Sequence, residues 1–266
     1  MQQICGELLG ECRALADLCR GMSASQWRVP TDFHGWTPWD EIAHLAFFDD
    51  AGWLAATDPP RFAAHKQALQ EELAHGEEIS AIARRRFGQF DGPALLALWC
   101  EQQERLVAAL VGMEAKARLP WYGPDMSARS FASARLMETW AHGQDVWDAV
   151  GRERGPSPGL RNIAHLGVTT YGWTFANRRL PVPEPQPFVS LTAPDGDTWT
   201  WGTPSDEDFV RGPALDFALL VTQRRHRDDT RLVWSGASAQ QWTLLAQCFA
   251  GPPADGPAPG VRGRRA

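Results

Sequence analysis

The sequence predicts an α+β chain, with a helical bundle over residues 1–152 and a small α+β domain over residues 160–250. Three features of the chain point this way. Apolar residues recur at helical spacing through most of the first half. Gly151 to Gly159 has the composition of a linker. Pro194-Asp195-Gly196-Asp197 stands between two runs of β-branched and aromatic residues, a strong hairpin signal. The Pro- and Gly-rich stretch 251–266 is expected to be disordered.

Composition narrows the function classes. With 266 residues, 44% hydrophobic and 22% charged, the chain can bury one large core or two modest ones. No run approaches the roughly 18 apolar residues that span a bilayer. Met1-Gln2-Gln3-Ile4-Cys5 also lacks the basic-then-apolar order of a signal peptide. A cytoplasmic protein with no membrane partner is therefore expected. The formal charge of −6 repels a nucleic-acid backbone, so no nucleic-acid partner is expected, despite the clusters Arg84-Arg85-Arg86 and Arg224-Arg225. The five cysteines are an odd number, and Cys5, Cys12 and Cys19 recur on one helical face. That pattern suits reduced thiols packed as small apolar groups, not a disulfide framework.

Taken in order, Gln2 to Met22 carries Ile4, Leu8, Leu9, Leu15 and Leu18 at helical spacing and forms the first long helix. Ser23 to Gly35 is a connection, with Trp27 as its anchor. At Thr37-Pro38-Trp39-Asp40-Glu41 the helix-start signals converge: a capping Thr, Pro at the first position, and two acids facing the positive end of the helix dipole. The second helix therefore begins at Pro38. Two more are expected, Arg61 to Gln89 with breaks and Pro93 to Val111. Lys116 to Arg129 contains Pro120 and Pro124 and does not continue a helix; a loop there can cover one mouth of the bundle.

The next helix carries the chemistry. Across Arg135 to Trp147, Glu138, His142 and Asp145 fall on one side, while Leu136, Met137, Trp140 and Trp147 gather on the other. Glu138 and His142 are four apart and can close on one metal ion. The same spacing fits side chains that face water, and Glu71-x-x-x-His75 repeats it. His44 points from an apolar face of the second helix. It is either a core histidine held by a backbone carbonyl or by Asp40, or the third member of a two-His, one-carboxylate set. Such a set leaves coordination positions open, as catalysis requires.

Two segments resemble a known family. Gly35-Trp36-Thr37-Pro38-Trp39-Asp40 leading into Ala43-His44-Leu45, together with the E-x-x-x-H-G-x-D run Glu138 to Asp145, resembles the signature of the mycothiol-dependent maleylpyruvate isomerase group of the DinB-like superfamily. The resemblance implies a DinB-like four-helix bundle in which His44, Glu138 and His142 bind a divalent metal, most often zinc. It also implies a small-molecule thiol such as mycothiol as co-substrate, with a small electrophile to be transferred or isomerised. The alternative is a binding protein without turnover, in which the same ligands staple the bundle. Asp145 is placed to orient His142 as a carboxylate behind the ligand.

In the second half a helix is expected from Leu160 to Arg179. Phe188 to Thr192 and Thr198 to Trp201 form the hairpin. Two strand, Gly turn, helix units follow, Asp208 to Gln223 and Arg231 to Phe249. This layout is similar to the sterol-carrier-like domain that follows the bundle in the isomerase family. Relatives commonly end the first unit with a Trp-Gly-Arg type segment, whereas this chain has Val221 to Asp229. Arg224 and Arg225 are thus catalytic candidates by position only, and the ending resembles an actinobacterial branch of the family.

Overall fold

A computed structural model describes residues 1–263 and divides them into two compact units, Met1–Glu153 and Arg154–Gly263. The first is helical: α1 (Gln2–Arg20), α2 (Pro38–Thr57), α3 (Pro59–Ala74), α4 (Ile79–Phe87), α5 (Gly92–Val111) and α6 (Ala128–Ala149). Helices α1, α2, α5 and α6 pack as a four-membered bundle, and α3 and α4 lie against α2. The chain is mixed helix and sheet, as the sequence predicts.

Local chemistry sets these boundaries. Thr37 and Asp40 form a reciprocal capping box that starts α2 behind Pro38. Asp91 accepts from Ala94 at the head of α5, and Ser127 accepts from Ser130 at the head of α6. The stretch expected as one broken helix from Arg61 becomes α3 and α4, interrupted by Gly76 at φ 84°. A short hairpin of two-residue strands, β1 (Arg118–Leu119) and β2 (Met126–Ser127), lies within the expected loop before α6. Cys5, Cys12 and Cys19 are buried along α1.

Of the two readings of the polar side of α6, the solvent-facing one is not realised. On its polar side His142 is 4% exposed and Asp145 5%, and only the Glu138 side chain, at 24%, reaches solvent, so the helix is buried around most of its circumference. The bundle encloses this polar strip, and its charges must be satisfied internally.

The second unit opens with α7 (Leu160–Thr169) and α8 (Tyr171–Ala176), so the single expected helix breaks at Thr170. Its sheet runs in the order β4-β3-β5-β6, from β3 (Phe188–Thr192), β4 (Thr198–Trp201), β5 (Phe209–Pro213) and β6 (Val233–Ser235). The hairpin β3–β4 is antiparallel with Val189 opposite Trp201, β3–β5 is parallel, and β5–β6 is antiparallel. Helix α9 (Ala214–Val221) follows β5, and α10 (Ala237–Leu245) follows β6. Helix α10 stops short of Phe249 because the Cys248 amide donates to the Val221 carbonyl and the Gln247 amide to Thr174 Oγ1.

Against the expectation of disorder, residues 251–263 are tied down without forming a helix or strand. Gln223 Nε2 donates to the Ala254 carbonyl at 2.7 Å, and the Gly260 amide donates to Asp229 at 2.8 Å. Residues 264–266 lie outside the described part. Among the described residues no helix is long and apolar enough to cross a membrane.

Candidate metal centre

Helices α2 and α6 bring His44, Glu138 and His142 together. His44 Nε2 lies 3.5 Å from Glu138 Oε2, and His142 Nε2 lies 3.3 Å from the same oxygen. One donor atom from each of the three falls within 4.8 Å of the other two. An ion bound tetrahedrally at about 2.1 Å holds its donors roughly 3.4 Å apart, so these separations fit one ion. They are longer than the roughly 2.7 to 2.9 Å of a good charge-assisted hydrogen bond.

Exposure gives the centre a direction. The Glu138 side chain is 24% exposed, His44 13% and His142 6%, so an incoming ligand meets Glu138 first and His142 last. Burial alone would push the Glu138 carboxyl up. The neighbouring His142 and His44 imidazoles, when protonated, outweigh burial and hold it well below the usual carboxylate range.

Behind the histidines the fold supplies further partners. His142 Nδ1 is 2.7 Å from Glu41 Oε2, and Glu41 is fully buried one turn before His44 on α2. Glu41 Oε1 accepts from Thr31 Oγ1 at 3.1 Å. The loop bearing Thr31 also carries Trp36, stacked on His142 at 5.9 Å between centroids, and Phe33, edge-on to it at 5.3 Å. His44 rests against Phe48 at 4.7 Å. Glu41, His142 and Asp145 form a second group whose ligand atoms lie within 4.8 Å of one another, all three residues being buried.

The residues singled out in the sequence thus divide. His44, Glu138 and His142 converge, and Asp145 stands beside them. Asp40 is not the partner proposed for His44, since Arg84 grips it at 2.7 and 2.9 Å and Thr37 caps with it. Glu71 and His75 are exposed, and the His75 ring meets the Glu71 backbone carbonyl, so that pair joins no third ligand among the described residues. Arg224 and Arg225 follow α9 in the second unit. Arg224 is buried, with Nη1 donating to the Thr222 carbonyl. Arg225 Nη1 donates to the Arg224 carbonyl.

Sequence reasoning missed Glu41, which reads there as a first-turn acid. Its spacing held the signal: i and i+3 share a helix face, so Glu41 and His44 were bound to point the same way. Thr31, Phe33 and Trp36 sit in an irregular loop whose path no periodicity reveals.

Comparison with known proteins places the chain. Residues 8–147 match the family model described as mycothiol maleylpyruvate isomerase N-terminal domain. Two proteins from two strains of Mycobacterium tuberculosis, each called an uncharacterized protein, are 38% identical over 255 residues, covering 94% of this chain and 98% of theirs. A crystal structure of the mycothiol-dependent maleylpyruvate isomerase superposes with a TM-score of 0.57 at 16% identity, over 87% of this chain and 92% of that one. A mutant of the mycothiol-dependent maleylpyruvate isomerase gives 0.56 at 14% identity over the same shares. At this identity the likeness is one of fold.

Proposed function

The chain belongs to the mycothiol maleylpyruvate isomerase N-terminal domain family, and from that premise we propose a metal-dependent enzyme that activates a low-molecular-weight thiol toward a small electrophile. His44, Glu138 and His142 would hold a divalent ion, zinc first among them. The observation that carries this reading is the spacing of 3.3 and 3.5 Å from the two imidazole nitrogens to one carboxylate oxygen. A bound zinc ion would supply Lewis acidity, lowering the pKa of a thiol at its open position.

The chain's own side chains complete the setting. Glu138 is the single carboxylate among the three ligands, so the set leaves a dipositive ion with residual positive charge that favours an anionic fourth ligand. Phe33 and Trp36 pack on His142, and Phe48 on His44. Mycothiol is the thiol to try first, because the family carries it in its description. Asp145, Arg224 and Arg225 are given no step in this reaction.

The test is isothermal titration of the metal-loaded protein with mycothiol in two buffers of different ionisation enthalpy. Proton release is expected near neutral pH, where a free thiol is mostly protonated. The metal-free protein should neither bind nor release. Equal binding with and without metal would leave the stapled, non-catalytic protein as the better reading.

A further inference from the structure

Glu41 is the least exposed carboxylate of the bundle, and its position behind His142 decides what that ring can do. Glu41 Oε2 lies 2.7 Å from His142 Nδ1, and Glu41 Oε1 takes the Thr31 hydroxyl at 3.1 Å. Thr31 is itself anchored: its amide donates to the Trp36 carbonyl, and its Oγ1 accepts from the Phe33 amide at 3.2 Å. An ionised carboxylate only accepts, so with Glu41 ionised the imidazole nitrogen facing it carries the proton. The opposite tautomer would set two lone pairs against each other at 2.7 Å.

We infer that Glu41 is the positioning residue of this centre: it fixes His142 as the Nδ1–H tautomer, which aims the Nε2 lone pair toward Glu138 and His44. The assignment of Nε2 to a metal rests on the reading above. The Nδ1–H bond to Glu41 does not, since that contact exists without an ion; Nε2, 3.3 Å from Glu138 Oε2, offers its lone pair once the ring is neutral. A carboxylate behind an imidazole also raises the electron density the ring offers, and loss of such a partner typically lowers metal affinity about 10- to 100-fold. Thr31 extends the effect to the loop, because a displaced Thr31 would release the second oxygen of Glu41. The rings of Phe33 and Trp36, on the same loop, then hold the plane of the imidazole that Glu41 has oriented.

Long-range proton–nitrogen NMR of the full, metal-free chain reads the tautomer directly, at a pH above the histidine range and with His142→Ala to assign the resonance. The Nδ1–H form is expected in the wild type. In Glu41→Gln, whose amide can either accept or donate, a mixture of tautomers should appear, and zinc affinity measured by chelator competition should fall about 10- to 100-fold. Thr31→Val should lower affinity in the same direction by less. A wild-type His142 in the Nε2–H form would overturn the inference, as would a Glu41→Gln protein that folds and binds zinc within about twofold of wild type, well short of that range. If Glu41→Gln does not fold, the wild-type spectrum still decides. A wild type that binds no zinc would refute the metal reading alone and leave the tautomer to be judged by its own spectrum.

Discussion

Arg135 Nε lies 2.8 Å from Asp49 Oδ1, and the two side chains are 4% and 1% exposed. Asp49 stands five residues after His44 on α2, and Arg135 three residues before Glu138 on α6, so this pair sets the two ligand-bearing helices in register. Trp99 Nε1 on α5 donates to the other Asp49 oxygen at 2.8 Å. Removing one partner strands a buried charge, and Arg135→Met should cost about 3 to 5 kcal/mol. The double variant Arg135→Met with Asp49→Leu should recover much of that loss. Urea unfolding of the metal-free proteins measures both, and a single-variant cost below about 1 kcal/mol, the range of a surface pair, would refute the register role.

Metal content separates the assembled set from its look-alike. Elemental analysis of the purified protein should find about one divalent ion per chain, and His44→Ala or His142→Ala should lower occupancy at least about tenfold. Glu71→Ala and His75→Ala should leave it unchanged, since that pair meets no third ligand among the described residues. Full retention of metal in both histidine variants would remove the centre.

Acid stability should follow Asp40. Burial tends to raise its carboxyl pKa, but the Arg84 guanidinium and the Thr37 amide and hydroxyl bring it below its ordinary value. A carboxyl lowered on folding stabilises fully above its unfolded value, about 3.9, and that contribution is lost as pH falls through the lower folded value. The stability gap between wild type and Asp40→Asn should therefore be constant near neutrality and shrink below about pH 4. Urea midpoints across the acid range test this, and a gap that widens on acidification would contradict it.

Gly92 permits the close approach of α5 to Trp27. A Cβ there would lie 2.3 Å from Trp27 Cδ2, inside contact distance of a buried ring. Gly92→Ala should destabilise by about 1 to 3 kcal/mol through overpacking. Thermal unfolding gives the value, and an unchanged or raised midpoint would show that the indole moves aside freely.

What the sequence revealed follows from how local each signal is. The head of α2 was legible because Thr37, Pro38 and Asp40 act within one turn, and the β3–β4 hairpin because its turn residues act on one another. Glu138 and His142 were legible as a pair from their spacing, but His44 kept two readings until the motif resemblance chose between them, since no periodicity says that two helices about 90 residues apart face each other. The burial of Asp145 and of most of α6 was hidden for a related reason: a polar strip reads the same whether it meets solvent or neighbouring helices. The halt of α10 and the anchoring of residues 251–263 depend on single hydrogen bonds to distant backbone groups, which composition does not report.

The separation of the ligands along the chain has a consequence for folding. His44 and His142 are 98 residues apart, and both α2 and α6 must be docked before their nitrogens approach one carboxylate. Closing so long a loop costs chain entropy ahead of any coordination bond, so neither helix alone can assemble the three donors. Coordination at this centre would then mark the docking of α2 on α6. In a refolding experiment the spectrum of a cobalt probe should rise with the phase that brings those two helices together, and it should vanish with the first opening of α2 from α6.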